Sequence, residues 1–382
     1  ATTFDLNFNT IAEDFTFTRG SEATFVNAQG LIQSTASNDA PRLDYSTGAK
    51  AFLLEQQSTN LVTYSEDLSN FSKTNITEVD GNQVTPNGTV GSIKITPTSS
   101  AITQLQISSL TVGASYSFSF FVKKAEASNL IINQAGSAGQ RVSYNIDNLT
   151  YIGIAGVDTN IVSYGNGWVR IEYSVNSLTY NNIRIVLSNG TNVYPYNPPI
   201  GDGLYLWGFQ LEQNSFSTSY IPTSGASATR NQESCNNATP VINSEEGTLY
   251  FEASALVDEN DRRISLSDGS LNNYVSIGYS RFTGNIVGEI FSNGVSQNLN
   301  WGATGITQIN NNKFALSWGN GTMKFYVNGI QTLTTTITSP IGMNVLNFAA
   351  GNNALTMYAN TKDLKVYPKA LADVQLQDLT TI

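Results

Sequence analysis

The chain has 382 residues, of which 40% are hydrophobic and 10% aromatic, so it can bury two or three cores without disulfides or structural metals. Its net charge of −10 and its only 19 lysines and arginines, spread along the chain, exclude a cationic surface for nucleic acid or anionic lipid. The chain has no histidine, which excludes Ser-His-Asp and Cys-His catalysis and zinc sites that need imidazole.

Residues 1–60 contain short extended segments separated by polar turns. Ala1–Phe8 and Thr24–Gln33 are β-prone, and Pro41 and Gly48 interrupt the pattern. Too few apolar positions alternate here for the segment to close a core alone. We therefore predict an extended N-terminal arm that functions in assembly or attachment and is ordered by packing against a partner chain or the next domain.

Residues 61–228 have the two-residue period of β-strands. Small polar and aromatic residues alternate in Ser115–Lys124. Gly167–Val175, which begins at a Gly-Asn-Gly turn signal, repeats the alternation. So does Asn182–Leu187, which is followed by an Asn-Gly turn signal. Such strands bury one face and leave the other in water. Because no ten-residue helical pattern lies between them, this segment predicts an antiparallel sandwich of jelly-roll type.

Residues 229–244 lack apolar periodicity and are predicted to form an interdomain linker that carries the single cysteine, Cys235, as a small side chain. A second sandwich is predicted over residues 245–382. Its strands are Gly247–Ala253, Asn273–Tyr279, Lys313–Trp318 and Met323–Gly329.

The segment Lys369–Leu379 alone has a helical pattern. Leu371, Val374, Leu376 and Leu379 fall on one apolar stripe.

Three tryptophans, Trp168, Trp207 and Trp318, lie inside alternating segments and are predicted to be core residues. The sequence as a whole predicts an all-β protein: an N-terminal arm followed by two antiparallel β-sandwiches of jelly-roll and concanavalin A-like type.

Several segments are similar to a known family. Phe17–Ile32 and Leu53–Leu68 resemble the opening and linking segments of bacteriophage virion structural proteins of the tail-fibre, head-fibre or appendage type. Tyr205–Glu212, which leads into Tyr220–Gly225, resembles the strand that closes a domain in that family. The resemblance implies a carbohydrate-binding-module-like jelly roll at residues 61–228.

The last third of the chain has a second resemblance. Phe325–Gly329 and Leu364–Leu371 are similar to segments of concanavalin A-like and laminin-G-like lectin sandwiches. Together the two resemblances imply a non-enzymatic virion protein that binds other virion proteins and, in the adhesive case, host-surface polysaccharide. Because a fibre gains avidity from several weak sites and the N-terminal arm cannot bury itself, we predict a homo-oligomer, a trimer where the protein forms a fibre.

For a virion protein of this kind we expect synthesis in the host cytoplasm and a final location on the surface of the virion. The N-terminus shows no basic segment followed by an apolar one, and no apolar run reaches the ~18 residues of a membrane span. Two alternatives remain open: a polysaccharide depolymerase and a bacterial surface adhesin.

Without histidine, general acid–base catalysis would fall to carboxylates, Tyr or Lys, and the sequence contains paired carboxylates. A glycosidase holds two carboxyl groups ~5–9 Å apart across a cleft. Adjacent residues on a strand point to opposite faces, so neither Glu245-Glu246 nor Asp258-Glu259 meets that need alone. We therefore predict no catalytic residue. Asp258–Asp261 could ligate calcium or form a polar hairpin tip, and no other cofactor is predicted.

Aromatic rings beside amides are the pattern that recognises sugars. Tyr194, Tyr196 and Asn197 lie in a proline-rich segment that cannot join a sheet, which predicts a glycan-binding loop. Packing of this loop over the edge of the core is the alternative. Trp301, in Asn-Trp-Gly, is a second candidate.

Overall fold

In the computed structural model, the regular secondary structure consists almost entirely of antiparallel β-strands. The structure describes residues 4–5, 11–135, 139–190, 196–257, 261–282, 284–300 and 305–382. The chain divides into a central unit, Ala23–Ser34 with Gln57–Arg230, and a terminal unit, Ala1–Glu22 with Thr35–Gln56 and Asn231–Ile382. The predicted all-β class is confirmed.

The strands are short in the first sixty residues and longer afterwards. Strands β1 to β11 are Phe4–Asp5, Thr16–Thr18, Thr24–Val26, Ile32–Ser34, Arg42–Asp44, Ala51–Leu53, Ser58–Asn60, Ser72–Thr74, Ile76–Asp80, Ile93–Pro97 and Gln104–Ser108. Strands β12 to β21 are Tyr116–Lys124, Asn129–Asn133, Val142–Asn145, Thr150–Ile152, Asp158–Tyr164, Trp168–Val175, Asn182–Leu187, Leu204–Glu212, Ala228–Arg230 and Ser234–Asn236. Strands β22 to β31 are Gly247–Ala255, Arg262–Ser267, Tyr274–Tyr279, Ile286–Ser292, Val295–Asn300, Asn312–Gly319, Thr322–Val327, Ile330–Thr336, Val345–Asn347 and Ala359–Tyr367. Helices α1 and α2 are Ile11–Asp14 and Asp373–Thr380.

The central unit is a sandwich of two six-stranded sheets. One has the order β16-β17-β12-β19-β10-β9 and the other the order β15-β14-β13-β18-β11-β8. Their inner faces share one core, in which Phe118, Phe120 and Phe209 of the first sheet meet Leu130 and Ile185 of the second. The alternating sequence pattern produces this arrangement because every second side chain faces the same layer.

The outer face of β12 is not exposed to water, which corrects the prediction of a wet face. Ser117 and Ser119 are 0% and 1% exposed. The side chain of Arg170, on the neighbouring strand, donates to Ser119 Oγ at 3.1 Å and to the carbonyl of Thr218 at 2.6 Å. The chain after β19 therefore covers this face, and the small serines leave room for it.

The terminal unit has an eight-stranded and a five-stranded sheet. The first has the order β29-β28-β27-β22-β31-β6-β5, with β1 also paired to β31, and the second the order β26-β25-β24-β23-β30. Phe314 stacks on Phe251 and on Phe325, with ring centroids 6.3 Å and 6.4 Å apart. Gly288 lies where a Cβ would come within 2.6 Å of the Phe325 ring, so the core there needs glycine.

Helix α2 packs on the eight-stranded sheet, where Leu376 is fully buried and Leu371 and Leu379 are partly buried. Val374 is 66% exposed, so its predicted place on the apolar stripe is wrong. The helix begins at Asp373, four residues later than predicted. The Gln375 side chain accepts a hydrogen bond from the Ala372 N–H at 3.0 Å, which caps the helix at this start.

The predicted arm and linker are divided between the two units. Residues 35–56 place β5 and β6 in the eight-stranded sheet, and the hairpin β3–β4 belongs to the central unit. The predicted linker contributes β21, which pairs with β2, and Cys235 on it is fully buried. Burial raises the pKa of the Cys235 thiol well above its usual value.

A buried ionic network holds the early segments to β21. Glu233 accepts hydrogen bonds from Arg19 at 2.9 Å, from both Nε and Nη2 of Arg42, and from the Glu55 N–H at 2.7 Å. Arg42 also donates to Glu55 Oε2 at 2.8 Å. Burial lowers the pKa of Arg42, but the two carboxylates outweigh it and hold this pKa above its usual value. Two positive and two negative groups thus neutralise one another out of water.

Trp168, Trp207 and Trp318 are at most 1% exposed, which confirms the prediction that they are core residues. Among the described residues, no helix has both the length and the apolar character needed to cross a membrane.

Candidate functional site

A depression of about 290 Å³ opens on the surface of the central unit. It is formed by two segments, Tyr64–Asp67 and Pro222–Ser224. These two segments belong to Leu53–Leu68 and Tyr220–Gly225, which the sequence singled out. We call this depression the Tyr64 site.

Backbone pairing fixes the two walls of the Tyr64 site. Tyr64 and Ser224 form an antiparallel bridge, and the Gly225 N–H donates to the Thr63 carbonyl at 2.8 Å. Ser65 Oγ accepts a hydrogen bond from the Thr223 N–H at 2.9 Å, across 158 positions of sequence. The walls therefore form a rigid scaffold, and the side chains they present are ordered before a ligand arrives.

A tyrosine beneath the site links it to the aromatic layer below. The hydroxyl of Tyr220 lies 2.7 Å from Ser65 Oγ, and it donates to Glu66 Oε1 at 3.4 Å. Its ring packs on Trp207, with centroids 4.9 Å apart. Burial raises the pKa of Tyr220 far above its usual value, and the Glu66 carboxylate adds to the rise. Tyr220 therefore acts as a neutral hydrogen-bond donor.

The exposed groups of the Tyr64 site are one aromatic ring, two carboxylates and a hydroxyl. Tyr64 is 40% exposed, and Glu66, Asp67 and Ser224 are also exposed. A ring of this kind can stack on the apolar face of a pyranose, and carboxylates and hydroxyls beside it accept and donate hydrogen bonds to sugar hydroxyls.

The predicted glycan-binding loop has a different place in the structure. Tyr196 is 6% exposed and packs against Ile131 and Val186, which point outward from strands β13 and β18. The Asn133 amide donates to its hydroxyl at 3.3 Å. The expectation of an exposed ring at Tyr196 is thus corrected. The ring is buried because it shields the outward-facing apolar side chains of Ile131 and Val186 from water. The alternative, packing over the edge of the core, is what the structure shows for this residue.

Of the other predicted glycan-binding residues, the structure describes Asn197. Asn197 is exposed and has a φ of +41°. Tyr194 and Trp301 lie outside the described residues.

Carboxylate candidates for catalysis or metal binding are engaged elsewhere. Glu246 Oε2 accepts a hydrogen bond from the Ala370 N–H at 3.4 Å, and Asp261 Oδ1 accepts one from the Arg281 N–H at 3.1 Å. Asp258 and Glu259 lie outside the described residues. Within the described part of the chain, no group of three or more Asp, Glu or Cys residues could hold a metal ion.

One carboxylate pair escaped the sequence reasoning. Glu252 and Asp363 are opposite each other across β22 and β31, so their side chains share one face of the sheet. Glu252 accepts hydrogen bonds from Tyr250 at 3.0 Å and from Asn311 at 2.8 Å, and Asp363 pairs with Lys365. These partners occupy both carboxylates, which are 111 positions apart in sequence and could not be paired from it.

Tyr64 also escaped the sequence reasoning, although its signal was present. It comes two positions after the buried Val62 and precedes Ser-Glu-Asp, so an aromatic ring stands beside acidic residues where the strand pattern ends. A second depression, of about 420 Å³, has Asp158, Ser174 and Asn176 among its lining residues. Its lining includes no aromatic side chain among the described residues, so the Tyr64 site is the better candidate for a sugar.

Comparisons with known proteins gave partial structural likenesses. No family model matches the chain, and no curated protein matches it. Domain 4 of AbnA, a GH43 extracellular arabinanase from Geobacillus stearothermophilus in complex with arabinotriose, is 19% identical, with a TM-score of 0.33; the match covers 44% of this chain and 84% of that one.

Two further solved structures also have partial likenesses to the chain. The CBM40 of the Ruminococcus gnavus IT-sialidase, bound to α2,3-sialyllactose, is 18% identical over 37% of this chain and 84% of that one, with a TM-score of 0.31. Domains LG4-5 of the mouse laminin α1 chain are 9% identical over 70% of this chain and 84% of that one, with a TM-score of 0.24. Likenesses of this extent do not assign an activity or a ligand to the chain.

Proposed function

We propose that this protein binds carbohydrate through the Tyr64 site and serves as a non-enzymatic adhesive component of a bacteriophage particle. The observation that carries the carbohydrate part is an exposed tyrosine ring beside carboxylates and a hydroxyl, on walls fixed by backbone pairing. The particle role rests on the sequence resemblance of Phe17–Ile32, Leu53–Leu68 and Tyr205–Glu212 to virion structural proteins.

The ligand class follows from charge. Glu66 and Asp67 make the rim of the site acidic, and the chain as a whole has a net charge of −10. An anionic sugar would be repelled, so a neutral hexose or an amino sugar is the expected ligand. A volume of about 290 Å³ matches one or two sugar rings. Affinity at one site is weak, and useful attachment needs several copies.

The test uses the full chain and a panel of neutral, amino and acidic bacterial polysaccharides. We expect binding to neutral or amino sugars by calorimetry, and we expect Tyr64→Ala to lower the affinity at least tenfold. Tyr180→Ala is the matched control, because Tyr180 is 39% exposed in the same unit and lies outside the site. Equal loss in both variants, or no loss in either, would contradict the Tyr64 site.

The enzyme alternative is tested in the same samples. A depolymerase would release new reducing ends or unsaturated products, and the Glu252–Asp363 pair is where we would look for its carboxylates. We expect no cleavage. Cleavage that disappears in Glu252→Gln would establish the alternative. Imaging of intact particles with a label on this chain separates a virion component from a bacterial surface adhesin.

A further inference from the structure

An uncharged apolar strip lies at one edge of the central unit. It consists of residues 149–157, which run through strand β15 and contain no charged residue. Four of its apolar side chains are exposed: Leu149 by 41%, Tyr151 by 47%, Ile152 by 64% and Ile154 by 38%. We call it the β15 strip.

The β15 strip is also a free sheet edge. Among the described residues, β15 is the last strand of its sheet and pairs with β14 alone, from Ser143↔Ile152 to Asn145↔Thr150. Its backbone groups on the far side are therefore open to another strand. Tyr151 and Ile152 point to opposite faces of the sheet, so a strand added here would gain apolar contacts on both faces.

The other three edges of the two sheets carry charges. Strand β8 has Lys73, β9 has Glu78 and Asp80, and β16 begins at Asp158. Charged side chains on an edge strand prevent pairing with other chains, because pairing would bury or oppose the charges. Only the β15 strip lacks this protection among the four, and exposed apolar surface on a free edge marks an interaction site.

We propose that the β15 strip is the interface between two copies of this chain, with the two β15 strands paired antiparallel about a two-fold axis. Two copies of this chain, each with a net charge of −10, repel each other, so an uncharged surface is the favourable place for them to meet. The β15 strip is such a surface. Asp147 and Asp158 flank it at opposite ends, so Asp147 of one copy lies at the same end of an antiparallel pair as Asp158 of the other. Lys124, 2.6 Å from Asp147, offsets the repulsion between these two carboxylates. A strip without charged side chains could not select a charged partner by electrostatic complementarity, which favours an apolar partner such as a second copy of the strip.

The geometry sets the size and the stoichiometry of the assembly. Pairing about a two-fold axis closes at two copies, in contrast to the trimer predicted from the sequence for a fibre. The β15 strip has a strand of only three residues and four large exposed apolar side chains, so it buries less than the ~800 Å² per partner of a standard interface. The dimer is therefore weak, with a dissociation constant of about 1 μM or higher.

Light scattering and sedimentation of the full chain over a concentration series test the proposal. We expect a monomer–dimer equilibrium that Ile152→Lys weakens at least tenfold, because it places two ammonium groups in the contact. Val90→Lys is the matched control: Val90 is also 64% exposed in the same unit but forms a bridge with Val84 and is not part of the β15 strip, so its substitution should leave the equilibrium unchanged. A monomer at all concentrations, a trimer, or a dimer that Ile152→Lys does not weaken would overturn the proposal.

A thiol at Tyr151 gives an independent readout that does not depend on the lysine variant folding. Cys235 is fully buried, so Tyr151→Cys adds the accessible thiol. Mild oxidation should link Tyr151→Cys into a covalent dimer and should leave Val90→Cys monomeric. Failure of Tyr151→Cys to crosslink more than Val90→Cys would also overturn the proposal.

Discussion

Replacing Glu233 by Gln should strongly destabilise the terminal unit. The side chains of Arg19 and Glu233 are 0% exposed, and Arg42 is likewise fully buried. The Glu233 carboxylate accepts hydrogen bonds from both arginines and from the Glu55 backbone. In Glu233→Gln the network changes from two positive and two negative groups to two positive and one negative.

The free energy of unfolding falls because the substitution leaves a buried guanidinium group without a neutralising carboxylate. Removing one partner of a buried ion pair costs about 3–5 kcal/mol. The amide also keeps one acceptor oxygen and turns an NH₂ group toward arginine donors, so at least one hydrogen bond is lost outright. A loss of this size is a large share of the roughly 5–15 kcal/mol that stabilises a domain.

The assay is equilibrium urea unfolding of the full chain. Asp147→Asn is the matched control, because Asp147 pairs with Lys124 at 2.6 Å while both side chains are more than 40% exposed. That change should cost less than about 1 kcal/mol. In Arg42→Met with Glu233→Gln, the loss should be smaller than the sum of the single losses, because each change removes the group that the other leaves unpaired. If Glu233→Gln costs no more than Asp147→Asn, the network does not hold these segments together.

Two further predictions concern the central unit. Gly208→Ala should lower the free energy of unfolding by about 2–4 kcal/mol, because Gly208 has a φ of +68° and a Cβ there would come within 2.7 Å of the Phe121 ring. Gly190→Ala is the control: Gly190 also has a positive φ, but the nearest atom to its Cβ would be 3.5 Å away, so the loss in the same urea assay should be smaller. Burial raises the pKa of Tyr173 to about 12, against about 10 in the unfolded chain, so its contribution to stability is complete below pH 10 and is lost as the pH rises through 12. Unfolding measured across this range should show a shallower decline in Tyr173→Phe, and an unchanged decline would contradict the assignment.

The candidate site was only partly predictable. Sequence reasoning selected Leu53–Leu68 and Tyr220–Gly225 as informative segments, and these segments form the walls of the Tyr64 site. It placed sugar-binding rings at Tyr194 and Tyr196, and Tyr196 is buried. Prolines show that a segment leaves the sheet, but they do not show whether it turns to solvent or folds back over outward-facing apolar residues such as Ile131.

The sequence by itself determined the all-β class, the main strands and the buried tryptophans, because these depend on a two-residue alternation between near neighbours. Only the tertiary structure decided which surfaces stay open. Ser117 and Ser119 look like a wet face locally but are covered by the chain near Thr218, about one hundred positions later. Likewise Glu233 joins Arg19 and Arg42 across 214 and 191 positions. Contacts of that range depend on how whole sheets pack, and no local pattern of residues encodes them.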